Sequence, residues 1–263
     1  KWAPSRPGGL FRRSPDSEDL LQEWEDIHAE ARVTDGVLAT EINHAIGAEA
    51  VLVHHVFDKA ESLVDYFAAT GTSHMAALHR VARPDAHLVR GIAIPAHVQE
   101  ALMAKKVPVT FGEWRFGYIK EDYRRPDPDQ AIMVTAKWAC RTGSAGGIDA
   151  LKHWWQQVGT DAFDMEKGLL RFEVYEAVGE DALIIHEVFR DTAELQFHLA
   201  KGTAKKYKSQ IDEIAEPVCY FFRGPVSWTI RTYSKFLHLP ATYSKQGSHF
   251  TAAGGSFSDG LEG

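Results

Sequence analysis

"GVLATEINHAIGAEAVLVHHVF", residues 36–57, returns as "GLLRFEVYEAVGEDALIIHEVF", residues 168–189, without a gap at an offset of 132. Gly36, Leu38, Glu41, Ala45, Gly47, Ala50, His54, Val56 and Phe57 each meet the same residue type in the second stretch. Each stretch sets two runs of β-formers around a short glycine-bearing connection, the signal of a hairpin. A hairpin present twice predicts that something larger is duplicated.

The likeness extends outward with slips of one or two residues. "LLQEWEDI" at 20–27 lies over "ALKHWWQQV" at 150–158, and "HLVRG" at 87–91 over "YFFRG" at 220–224. "KWA" opens the chain and recurs at 137–139, ahead of each first helix. In the second copy Ala131–Cys140 reads as a strand, Asp149 to about Met165 as a helix, and 168–176 and 182–189 as the hairpin. Asp191 is a good N-cap for a helix running to about Glu216, Pro217 ends that helix, and Val218–Arg223 is a last strand. The first copy repeats this with a helix over 17–33, strands over 36–44 and 50–57, a helix from Asp58 to about 82 and a strand over 86–92. Its own first strand is expected to be lost, short or frayed, since "KWA" is already at residue 1.

The order β-α-β-β-α-β is the ferredoxin-like unit. Its sheet carries both helices on one face, so the other face must be covered. Two copies in one chain can do this for each other. The expected fold class is therefore α+β, with duplicated ferredoxin-like domains forming an intramolecular dimeric α+β barrel. The expected domains are residues 1–94, a connecting helix, arm and linker at 95–129, a second domain at 130–228 and a tail at 229–263.

The formal charge of −7 argues against a nucleic-acid partner, which would show as a basic stripe. No apolar run approaches a membrane span, and no signal peptide is visible, so a cytoplasmic protein is expected. Cys140 and Cys219 have no partners at metal-ligand spacing and read as buried thiols in a reducing compartment. No phosphate loop, nucleotide fingerprint or nucleophile elbow is present.

"ALIIHEVFRDTAELQFHLAKGTAKKY", residues 182–207, ends a strand in an acid, follows with an aromatic, and continues into a helix carrying "FHL" and a small-residue break. This resembles the antibiotic biosynthesis monooxygenase family of dimeric α+β barrels, over about 90 residues of each copy. The resemblance implies a monooxygenase that needs no cofactor and acts on a phenolic, quinol or polyketide-like aromatic with dioxygen. It also leaves room for a non-oxidative isomerase or cyclase, a haem-binding or haem-degrading protein, and a non-catalytic assembly module. The copies have diverged. The helix position of His198 is Tyr66 in the first copy, and Lys205 stands where the first copy has His74.

Polar residues on the strands of such a barrel need an explanation. Arg171, Glu173 and Tyr175 alternate with Leu170, Phe172 and Val174, and form the mixed, cavity-side face. Simple pairing across Gly179 sets Arg171 opposite Glu187, an ion pair fixing register. The same count in the first copy sets His55 opposite Ala39 and diagonal to Glu41, equipment for a general base. His55 and Glu41 are therefore the expected catalytic pair. Asn43, Arg90, Tyr175, Glu173, Arg223 and Trp228 are the expected substrate contacts, with Tyr233 a further aromatic. His54 and His186, retained in both copies, read as a structural feature on the more apolar face, bonded to a helix. For a haem-binding protein the resemblance implies His79 as the iron ligand, and no metal site is expected. A homodimer through the 107–119 arm and the C-terminal tail is the expected protein contact.

Overall fold

The computed structural model describes residues 2–4, 15–31, 34–46, 50–69, 78, 80, 82–84, 87–104, 108–120, 123 and 130–251. The fold is mixed α+β. The chain divides into two compact units, residues 1–111 with 245–263 and residues 112–244. These divisions fall inside two strands.

The first unit begins with a strand, β1 (Trp2–Pro4), which is short but not lost. After it come α1 (Pro15–Ala31), β2 (Val37–Ala45), β3 (Val51–Phe57), α2 (Ala60–Ala69), β4 (Ala82–Pro84), β5 (His87–Gly91), α3 (Ala96–Met103) and the start of β6 (Val109–Ile119). Its strands run β4-β1-β3-β2. The expected last strand over 86–92 is present as β5, but the place beside β1 is taken by the separate strand β4. β4 pairs with β1, while β5 lies beside β6, where the His87 N–H donates to the Pro108 carbonyl at 2.9 Å. Helix α1 buries Leu20, Trp24, Ile27 and Ala31 against Val37, Ile42, Val51 and Tyr66. That spacing of three and four residues is the apolar stripe of a surface helix.

The second unit holds the rest of β6, then β7 (Ile132–Cys140), α4 (Gly147–Met165), β8 (Leu169–Ala177), β9 (Ala182–Phe189), α5 (Thr192–Ala200), α6 (Thr203–Ile214), β10 (Ala215–Arg223), α7 (Trp228–Phe236) and β11 (Ala241–Thr251). Its sheet runs β11-β10-β7-β9-β8-β6. The aromatic arm is therefore a strand paired with β8. The tail is a helix followed by a strand that joins β10 in parallel over 241–244. The Asp191 carboxylate caps α5, accepting from the Ala193 and Glu194 N–H groups at 2.9 and 3.0 Å. Pro217 does not end a helix. It sits inside β10 at a bulge, where proline's missing N–H is tolerated.

The two copies of "KWA" occupy matching registers, Trp2 opposite Val51 and Trp138 opposite Leu183. In the second unit one face of the sheet packs on helices: Trp138 meets Trp155 of α4 at 5.7 Å between ring centroids, and Trp155 meets Phe172 at 6.3 Å. Gly159 permits this approach, because a β-carbon there would lie 2.5 Å from the Phe172 ring. No described helix is long and apolar enough to cross a membrane.

Candidate active site on the second sheet

The face of the second sheet opposite its helices is built in rows. The cross-strand partners Arg223, Met133, Val188, Arg171 and Ile119 form one row. The next is Phe221, Thr135, His186, Glu173 and Gly117, and a third is Cys219, Lys137, Ile184, Tyr175 and Trp114. Arg171, Glu173, Tyr175, Thr135, Lys137, His186 and Arg223 are all buried, with Glu173 at 1% and His186 at 5% exposure. Burying so many polar groups is costly unless they are paired. Arg171 Nη2 donates to Glu173 Oε1 at 2.5 Å, Thr135 Oγ1 and His186 Nδ1 share a hydrogen bond of 3.0 Å, and Lys137 Nζ donates to Glu180 Oε2 at 2.6 Å. Burial works against the Arg171 charge, but the Glu173 carboxylate outweighs it and raises the guanidinium pKa above its usual value.

The first sheet repeats part of this. Glu41 lies opposite His54, with Oε2 3.9 Å from Nδ1. Asn43 is on the same face and buried, and its Nδ2 has no hydrogen-bond partner among the described residues. The retained residues of the two hairpins, Glu41 with His54 and Glu173 with His186, are thus cross-strand partners. They lie on the face away from the helices, and the hydrogen bond of His186 runs to a strand residue rather than to a helix.

This arrangement corrects the expected catalytic pair. The simple pairing count holds only at the open ends, Val37 with Phe57 and Leu169 with Phe189. A register shift between Val37 and Ala39, and again between Leu169 and Arg171, moves every later partner by one residue. A shift of one moves a residue's partner to the opposite face. His55 therefore lies opposite Thr40 rather than Ala39, and points to the helices. Its Nδ1 is 3.0 Å from Thr40 Oγ1, and its ring centroid is 4.9 Å from that of Tyr66. His55 and Glu41 are on opposite faces and form no dyad. Likewise Arg171 lies opposite Val188, and Glu187 opposite Phe172.

Glu187 instead serves a buried cluster on the helix side. His198 of α5 is 2% exposed; its Nδ1 is 2.8 Å from Glu166 Oε2 and its Nε2 3.3 Å from Glu187 Oε1. Glu166 Oε1 also accepts from the Thr203 N–H at 2.7 Å and hydroxyl at 2.8 Å, at the start of α6. The expected single helix to Glu216 is broken at Gly202, where a β-carbon would lie 2.4 Å from Glu166 Oε1. Burial opposes the imidazolium, yet Glu187 and Glu166 overcome it and push the His198 pKa up to about 10. Burial likewise favours the neutral Glu166 carboxyl, but His198 and Thr203 hold its pKa below the usual value. Sequence reading singled out His198 and missed Glu166 and Thr203, whose only signal is the small-residue break at Gly202.

Of the other expected contacts, Glu173, Tyr175 and Arg223 share the polar face. Arg90 does not occupy the place matching Arg223, because β5 lies beside β6 and not beside β1. Trp228 is 71% exposed and so does not line a buried pocket, and the Tyr233 hydroxyl donates to the Leu199 carbonyl at 3.2 Å. His74 and His79 lie outside the described residues. Among the described residues no group of three or more histidines, cysteines and acids is placed to hold a metal.

The fold has solved counterparts. A protein provisionally named a monooxygenase, from Fusobacterium nucleatum subsp. nucleatum, aligns with a TM-score of 0.52 at 12% identity, over 78% of this chain and 84% of its own. An anthrone oxidase-like protein aligns with a TM-score of 0.51 at 10% identity, over 91% of this chain and 89% of its own. At such identities the likeness is one of fold. Neither a family model nor any curated protein sequence matches the chain.

Proposed function

We propose that the chain is a cofactor-independent oxygenase, built from two diverged ferredoxin-like copies, that acts on a phenolic, quinol or polyketide-like aromatic. The observation that carries this reading is the buried row of Thr135, His186 and Glu173 with Arg171 beside it, on the sheet face that the helices leave bare. A histidine beside a carboxylate suits a general base near neutral pH. The described counterparts of this fold include proteins named for oxygenase chemistry, which agrees with the reading.

In this mechanism His186 takes an acidic proton from the bound aromatic. Arg171 and Arg223 favour the anion so formed, in a site with little water. The electron-rich anion reduces dioxygen itself. For an anthrone the balance is one methylene and one O2 giving one ring carbonyl and one water, so both the oxidant and the fate of its two oxygen atoms are accounted for. Tyr175 and Trp114, partners across β8 and β6, offer aromatic surface to a flat substrate.

The test is oxygen uptake with anthrone, under air and under nitrogen, for the native chain and His186→Ala. Loss of the base is expected to lower turnover by at least roughly a hundredfold. Undiminished uptake by His186→Ala sinks the assignment of the base. Conversion that proceeds equally under nitrogen turns the reading to an isomerase or cyclase using the same face.

A further inference from the structure

We infer that Thr135 is the positioning residue for His186, fixing the imidazole so that Nδ1 bears the proton and Nε2 receives the one leaving the substrate. This rests on the reading of His186 as the base. Thr135 and His186 are direct partners on the adjacent strands β7 and β9, both interior to the sheet and both buried. Thr135 Oγ1 is 3.0 Å from His186 Nδ1, the ring nitrogen nearer the backbone. A threonine on a strand has a stiff χ1, so its hydroxyl oxygen is held at one place while the O–H bond can turn away to let that oxygen accept. A neutral imidazole has one donor and one acceptor nitrogen, and the bond made by one sets the role of the other. With Nδ1–H donating to the hydroxyl oxygen, the lone pair is on Nε2, at the far end of the ring. The opposite tautomer would leave His186 unable to take a proton through that nitrogen.

The first unit supplies an internal control. His55 Nδ1 is also 3.0 Å from a threonine hydroxyl, that of Thr40, but on the helix face among Trp24, Phe57 and Tyr66. A threonine–histidine contact is therefore not a site by itself. What distinguishes His186 is the face it shares with Glu173, Arg171 and Lys137.

The experiment is 15N NMR of histidine-labelled protein, with the His186 signals identified by their absence in His186→Gln. The native chain is expected to show the Nδ1–H tautomer. Thr135→Val, which keeps the shape and removes the hydroxyl, should lose that single tautomer, and Thr135→Ser should restore it. Anthrone-dependent kcat should fall roughly tenfold in the valine variant at unchanged KM and recover in the serine variant. An Nε2–H tautomer in the native chain overturns the inference, and so does a valine variant with native tautomer and rate. If the valine variant does not fold, the native and serine tautomers still decide. If the tautomers behave as expected but anthrone draws no oxygen, the positioning role stands and the oxygenase reading fails.

Discussion

Residues 55 and 66 in the first unit and residues 187 and 198 in the second are separated by the same offset of 132, and both pairs bridge a strand to a helix. In the first unit the pair is His55 and Tyr66, two rings 4.9 Å apart in an aromatic cluster. In the second it is Glu187 and His198, part of a buried ionic cluster with Glu166. The histidine is on the strand in the first unit and on the helix in the second, where an acid holds the strand position. Facing rings give a modest gain beyond the area they bury. A buried ion pair is costly to assemble and far costlier to break by removing one partner. One scaffold position thus tolerates two chemistries, provided each is complete. The opposite face behaves otherwise. Both units keep a glutamate paired across the hairpin with a histidine.

The largest effect is expected from His198→Ala, which strands two buried carboxylates. It should cost about 3–5 kcal/mol in chemical denaturation of the second unit. Transplanting the first unit's solution, with Glu187→His, His198→Tyr and Glu166→Gln together, should cost less than half of that, since no charge remains unpaired. An equal cost would show that the cluster is not a self-contained module.

Acidity sharpens the same contrast. The His198 pKa is raised from 6.5 to about 10, so its contribution to stability is full below 6.5 and fades as pH rises toward 10. The Glu166 pKa is lowered from 4.5, so its contribution is present above 4.5 and is lost as pH falls through the lowered value. The cluster therefore stabilises most between 4.5 and 6.5. The urea midpoint of the second unit should decline on the alkaline side, and this decline should flatten in the triple variant. The smallest effect belongs to His55→Phe, which keeps a ring against Tyr66 and should cost about 1 kcal/mol. Turnover should survive it, because His55 faces the helices and His186 does not.

Much of the fold was written in local pattern. The hairpins, helix α4 and the Asp191 cap follow from alternation, helical spacing and capping chemistry, which act over a few residues. The faces of β8 were legible for the same reason, so the shared face of Arg171, Glu173 and Tyr175 follows from alternation. Three features were not local. A bulge near Leu38 and another near Leu170 shifted the pairing by one residue, which separated His55 from Glu41 and gave Glu41 to His54. Glu166, His198 and Glu187 come from three elements and meet only when the helices dock on the sheet. The tail's parallel strand on β10 needs a partner already formed. Which segments become strands and helices, and which residue types repeat, is set by neighbours along the chain and can be read from it directly. Which histidine meets which acid is settled in the folded molecule alone, because register and docking are set by contacts between segments distant in sequence.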